Sequence, residues 1–229
     1  MLFHTHEVTR EILQEAVATH RSMDLDVCVD PSSRAYLGHS PEYYDASDEH
    51  PGDPMPLWEA VDLIAASDIP VIVDCKHRDA WRHVEKVVAA IGPERCLVYS
   101  FVSELNMAYA PHPLSVECEW SPIARLADLK MTLPGVSVTA GAKGLPEDIL
   151  LPGRHPTLLR DIRQTLIDND IDTVCFNVPD KTMNDWALRH FLDAGIVPHV
   201  MVDDIDVDQL ALPYIGETDV LARTTSVAA

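Results

Sequence analysis

The sequence predicts a compact (β/α)8 barrel, and three observations point there. Eight strand candidates alternate with helix candidates along the chain, which implies a parallel sheet. The 229 residues contain no internal linker, repeat or low-complexity block, so we expect one barrel domain over residues 1–215 and a poorly ordered C-terminal tail over 216–229. Ionisable residues collect where predicted strands end, the place where a parallel barrel gathers its functional groups. An open doubly wound sheet is the structural alternative. No Gly-x-Gly-x-x-Gly follows the first strand, so a dinucleotide site lacks support.

Each element has its own justification. Met1 to His6 opens as a short strand with His4 and His6 on one face, and Glu7 to His20 follows as a helix with Ile12, Leu13, Ala16 and Val17 in an apolar stripe. Met23 to Val29 is the second strand; Asp30-Pro-Ser-Ser turns the chain, and Ala35 to Gly38 returns as a short strand ending at His39. Ser40 to Pro56 is a proline-rich polar loop, and loops this long inside a compact domain are usually functional or disordered. Helix 57–66, strand 70–76, helix 77–91 and strand 96–101 come next, then a strand over 113–120 and a helix over 123–130. Strand 135–140, helix 157–169, strand 173–178, helix 181–194 and strand 196–202 complete the alternation, with Gly195 as a helix C-cap and a turn or two of helix at 206–212. Trp58, Trp81 and Trp186 fall at helical apolar positions and are expected in the core.

Composition narrows the function. Acidic residues number 37 against 17 basic, a formal net charge of −20. That disfavours DNA and other long polyanions, whose binding relies on phosphate neutralisation, and it repels anionic membrane surfaces. A small phosphate ester held by a metal and a few local cations stays compatible. The five cysteines form no C-x-x-C pair and sit mostly in apolar runs, so we expect reduced, buried thiols in a cytoplasmic protein. No apolar run approaches the ~18 residues of a membrane span, and no secretory leader pattern opens the chain. Nothing here sets the oligomeric state.

The second strand carries the chemistry. Side chains alternate along a strand, so Asp24, Asp26 and Cys28 share one face and Leu25, Val27 and Val29 the other. Two carboxylates two residues apart on an inner face are costly unless a positive charge lies between them, and a hard divalent cation is the usual solution. A surface strand with two solvated aspartates is the alternative. His39 follows Asp24 by 39 − 24 = 15 residues, and His4 precedes it by 24 − 4 = 20. Strand 70–76 places Ile72, Asp74 and Lys76 on one face. Three carboxylates, two or three histidines and a lysine at strand ends make a metal-plus-acid/base set suited to phosphoryl chemistry.

With these residues in view, the chain resembles the glycerophosphodiester phosphodiesterases and their phospholipase C-like relatives. That family places a His at the end of strand one, Glu-x-Asp on strand two, a second His about 15 residues after that Glu, and Glu-x-Lys on strand three. The corresponding residues are His4, Asp24-Leu-Asp26, Gly38-His39 and Asp74-Cys-Lys76. Pro56-Leu57 through Lys76, Ser100-Phe101, Phe176-Asn177 and the run from Gly195 to Asp203 resemble the family's later segments. The specificity lies in the combined spacing. Both family glutamates are aspartates here, and Thr5-His6 replaces the family's Arg-Gly after the first His, leaving His6 or Lys143 as substitutes for its phosphate grip.

The resemblance implies a phospholipase C-like phosphodiesterase barrel that hydrolyses a glycerophosphodiester or another small phosphodiester. Asp24, Asp26 and Asp74 would hold one divalent cation, Mg²⁺ or Ca²⁺. His4 and His39 would act as general base and acid, and Lys76 would neutralise charge on the phosphoryl oxygens. The His4-x-His6 pair also fits metal-dependent amidohydrolases and the polymerase-and-histidinol-phosphatase type, but those folds need further metal-binding histidines at later strand ends, where His112, His155 and His199 give thin support. A barrel that keeps the fold and only binds is the remaining alternative. Glu117 and Glu119 share the i, i+2 pattern but fit solvated or paired strand-end positions. Tyr43 and Tyr44 can line a pocket or pack a loop on the rim.

Overall fold

The computed structural model describes residues 2–4, 8–30, 32–38, 55–76, 78–101, 122–143, 148–177, 185–201 and 215–218. In chain order the elements are β1 (Leu2–His4), α1 (Arg10–Ala18), β2 (Ser22–Val29), β3 (Ala35–Leu37), β4 (Met55–Pro56), α2 (Leu57–Ala65), β5 (Val71–Cys75), α3 (Trp81–Ile91), β6 (Cys96–Phe101), α4 (Pro122–Thr132), β7 (Ser137–Lys143), α5 (Pro156–Asp168), β8 (Thr173–Asn177), α6 (Asp185–Leu192), β9 (Val197–Met201) and β10 (Ile215–Thr218). The residues fall into two compact units, one of Phe3–Tyr99 with Leu129–Ser137, the other of Met1–Leu2, Ser100–Asp128 and Val138–Ala229.

In the first unit β1, β2, β5 and β6 run parallel in that order, and the short strands β3 and β4 extend β2 antiparallel as a hairpin. In the second, β7, β8, β9 and β10 run parallel in sequence. Seven of the eight strands that the sequence pattern predicts are thus present among the described residues, and the eighth parallel strand found there is β10, which the pattern did not predict.

The central strands β2 and β5 of the first unit are covered on both sides. Met23, Leu25, Val27 and Cys28 of β2 and every residue of β5 are buried, which is how a parallel strand reads when helices pack one face and an interior the other. Helix α1 starts where Thr9 accepts a hydrogen bond from the Ile12 N–H and turns Leu13 and Ala16 inward. Helices α1, α5 and α6 end in the same device: a residue at positive φ (His20, Asp170 and Gly195) after which the chain bonds back to the last turn and enters the next strand. Gly195 is the C-cap its sequence position suggests.

Two expectations change. The chain from 216 does not begin as a tail: Ile215–Thr218 forms β10, parallel to β9 with Ile215 opposite His199. A four-residue strand with one large apolar side chain shows no period in the sequence, because backbone pairing alone defines it. The tryptophans are not all core either. Trp58 and Trp186 are 40% and 38% exposed, and Trp81 is half-buried. Trp58 meets His83 of α3 edge-on, and Trp186 stacks on His190 one turn along α6. Leu57, Ala60, Val61 and Ile64 already fill the inner stripe of α2, which leaves Trp58 at its border. The strand expected over 113–120 with Glu117 and Glu119, the helix at 206–212, Tyr43, Tyr44 and His112 lie outside the described residues.

Candidate active site

The chemistry-bearing residues of the first unit meet where the middle of β2 pairs with the C-terminal end of β5. These strands pair in parallel with Asp26 directly opposite Asp74, and Asp24 lies one pleat earlier opposite Ile72. Paired strands lie ~4.8 Å apart. The shorter aspartate side chains therefore still converge: one carboxylate oxygen from each of Asp24, Asp26 and Asp74 lies within 4.8 Å of the other two. Asp24 and Asp74 are only 6% and 4% exposed, so the cluster is an interior feature and not a solvated face. This decides against the surface-strand alternative.

Lys76 completes the group. It follows β5 directly, and its backbone N–H donates to the Val27 carbonyl at 3.2 Å, continuing the β2–β5 pairing. Its Nζ donates to Asp74 Oδ2 at 2.5 Å and lies 3.0 Å from Asp26 Oδ1. Burial pushes the ammonium pKa down, but the carboxylates of Asp74, Asp26 and Asp24 together outweigh it and hold the pKa well above the ordinary lysine value. Lys76 is therefore a fixed cation at any physiological pH.

Charge counting shows what the cluster accepts. Three carboxylates and one ammonium carry a formal charge of −3 + 1 = −2. A largely buried excess of two negative charges is costly, and one divalent cation cancels it. Mg²⁺ and Ca²⁺ hold oxygens at ~2.1–2.5 Å, so oxygens on opposite sides of one ion stand up to ~4.2–5.0 Å apart. The observed separations fit that donor set, and the all-oxygen ligation suits hard cations over zinc or copper.

The backbone beside the cluster is pinned. The Gly38 N–H donates to the Asp26 carbonyl at 2.9 Å, and the Cys28 thiol donates to the Gly38 carbonyl at 2.7 Å. Burial, and then the Asp26 carboxylate, push the Cys28 thiol pKa up to about 12, so it remains a protonated donor. This holds the chain one residue before His39 at the level of Asp26. Only the β3 return strand hinted at it in the sequence, through the short turn after Val29. The other described cysteines, Cys75, Cys96 and Cys175, are buried thiols.

The histidines are less completely placed. His4 is the last residue of β1, in register with Met23 beside Asp24. His39 and His6 lie outside the described residues. Lys143 ends β7 in register with Asn177 of β8. His155 precedes α5, where its Nε2 lies 2.7 Å from Asp148 Oδ1; that hydrogen bond lowers the Asp148 carboxyl pKa.

No family model and no curated protein matches the sequence. Solved structures do match. A protein assigned as a glycerophosphoryl diester phosphodiesterase from Silicibacter pomeroyi superposes with a TM-score of 0.61 at 14% identity, over 95% of this chain and 89% of that one. A glycerophosphodiester phosphodiesterase from Parabacteroides distasonis superposes with a TM-score of 0.56 at 13% identity, over 95% of this chain and 92% of that one. No helix among the described residues is long and apolar enough to cross a membrane. The chain thus has the (β/α)8 barrel fold of these two structures, at 13–14% sequence identity.

Proposed function

We propose that the protein is a divalent-cation-dependent phosphodiesterase acting on a small phosphodiester of the glycerophosphodiester type. One observation carries the reading: in a fold shared with such enzymes, three carboxylates, two of them buried, and a lysine converge where the middle of β2 pairs with the C-terminal end of the parallel strand β5. Asp24, Asp26 and Asp74 would hold one Mg²⁺ or Ca²⁺. When bound, such an ion supplies Lewis-acid polarisation of a phosphoryl oxygen. Lys76 holds its ammonium against Asp74 and Asp26 and would neutralise charge building on the phosphoryl oxygens. His4 and His39 are the proton-transfer pair, one taking a proton from the attacking hydroxyl, the other giving one to the leaving alkoxide; such groups contribute ~10²–10⁴-fold. Asp24 and Asp74 are buried, as are Leu25, Val27 and Val73 on the same two strands. The single barrel domain and a reducing, cytoplasmic location belong to the same proposal. The test is a screen of phosphodiesters differing in both alcohols, with Mg²⁺, Ca²⁺, Mn²⁺ or chelator. Ion-dependent release of one alcohol supports the reading; hydrolysis unaffected by chelator, or none across the screen, refutes it.

A further inference from the structure

Lys76 and a bound divalent ion compete for the same oxygens. Its ammonium is 2.5 Å from Asp74 and 3.0 Å from Asp26, two of the three residues that would ligate the ion. Two positive charges sharing two carboxylates repel each other. We propose that Lys76 is a movable counter-cation: its ammonium weakens ion binding in the free protein and transfers to the phosphoryl oxygens of an arriving phosphodiester, so that ion and phosphoanion bind cooperatively. This rests on the three aspartates being an ion site.

The geometry provides for the movement. The Lys76 backbone is anchored by its N–H bond to Val27, so the strand end stays in place while the four-carbon stem turns. The Lys76 side chain is 14% exposed and Asp74 only 5%, so the ammonium keeps more solvent access than that carboxylate. Asp26, the second partner, is 22% exposed. A phosphodiester entering there brings one negative charge and two unesterified oxygens. Moving Nζ onto them exchanges one anionic partner for another, and the freed carboxylate lone pairs then serve the ion alone. By linkage, whatever the phosphoanion adds to ion affinity, the ion adds to phosphoanion affinity.

The experiment is calorimetric titration of Mg²⁺ into chelator-treated protein, with and without inorganic phosphate, for the wild type and Lys76→Met. A unit charge ~4–5 Å from the ion, at an effective dielectric of ~20, is enough to change affinity by more than ~10-fold. We expect Lys76→Met to bind Mg²⁺ at least ~10-fold more tightly than wild type. Phosphate is expected to tighten Mg²⁺ severalfold more in wild type than in the variant, where only the direct attraction between ion and phosphate remains. Equal or weaker Mg²⁺ binding in Lys76→Met, with wild type still binding, overturns the counter-cation and leaves the aspartate site standing. Absence of Mg²⁺ binding in both proteins removes both readings. If the variant fails to fold, wild type decides alone: Mg²⁺ affinity that ignores phosphate overturns the proposal.

Discussion

Asp24→Asn separates the ion from the lysine. The substitution removes one unit charge with almost no change in volume, and it leaves both Lys76 contacts, to Asp26 and Asp74, untouched. In chelator the variant is expected to melt at or above wild type, because one of three carboxylates crowded within 4.8 Å is neutralised. Added ion then distinguishes the two. At ~100 times its dissociation constant, Mg²⁺ stabilises wild type by ~2.7 kcal/mol, or ~5–10 °C for a protein of this size. If loss of one anionic ligand weakens binding ~100-fold, the same Mg²⁺ concentration equals the variant's dissociation constant and adds only ~0.4 kcal/mol. The assay is thermal melting by fluorescence or circular dichroism, in chelator and then across an Mg²⁺ and a Ca²⁺ series. Equal shifts in both proteins, or no shift in wild type, would falsify the ion site and the charge count on which it rests.

Three further outcomes follow from the same structure. His39→Ala is expected to lower turnover ~10²–10⁴-fold while leaving the melting temperature within ~2 °C of wild type; a variant with normal turnover removes His39 from the mechanism. Arg95→Ala is expected to cost ~2–4 kcal/mol, because the guanidinium donates to the Ile64 carbonyl at 2.8 Å, Ile69 at 3.1 Å and Ile91 at 3.0 Å, capping the ends of α2 and α3. Denaturant unfolding measures it, and a loss under ~1 kcal/mol would show that water replaces these bonds. The third outcome is a pH dependence. Burial, and then Arg163, lower the His190 pKa below its ordinary value, so the unfolded chain takes up this proton first. Its contribution to stability is full above about pH 6.5 and is lost as pH falls from there through the lower folded pKa. His190→Gln is expected to flatten that part of the stability profile, and superimposable profiles for the two proteins would assign the effect elsewhere.

Local pattern was enough for much of this molecule. Period-two alternation placed Asp24 and Asp26 on one face of β2, and their carboxylates do converge on one side of the strand. The alternation of strand and helix implied parallel pairing, since a strand that returns after a helix runs in the same direction. The glycine after α6 marked that helix end because only a residue that tolerates positive φ closes it cheaply. These properties depend on residues within a few positions of one another.

Other features depended on which distant residues share a level. That Asp26 stands opposite Asp74 follows from the β2–β5 register, which a separation of 74 − 26 = 48 residues leaves open and which the fit of both strands between their covering layers decides. The position of the Lys76 ammonium between two aspartates needed that register first, because a flexible stem goes where the fixed charges are. Gly38 is held by Asp26 and Cys28 only because β3 folds back beside β2. Trp58 and Trp186 lie at the border of their helices, where a helical period of 3.6 assigns neither face and the neighbouring helix decides exposure. β10 exists through backbone pairing with β9, a property that side-chain pattern does not encode. The sequence by itself thus determined most of the described elements and the chemical types they carry; the tertiary structure decided the short strands β4 and β10 and which charges meet, because electrostatic energy depends on distances that only the folded chain sets.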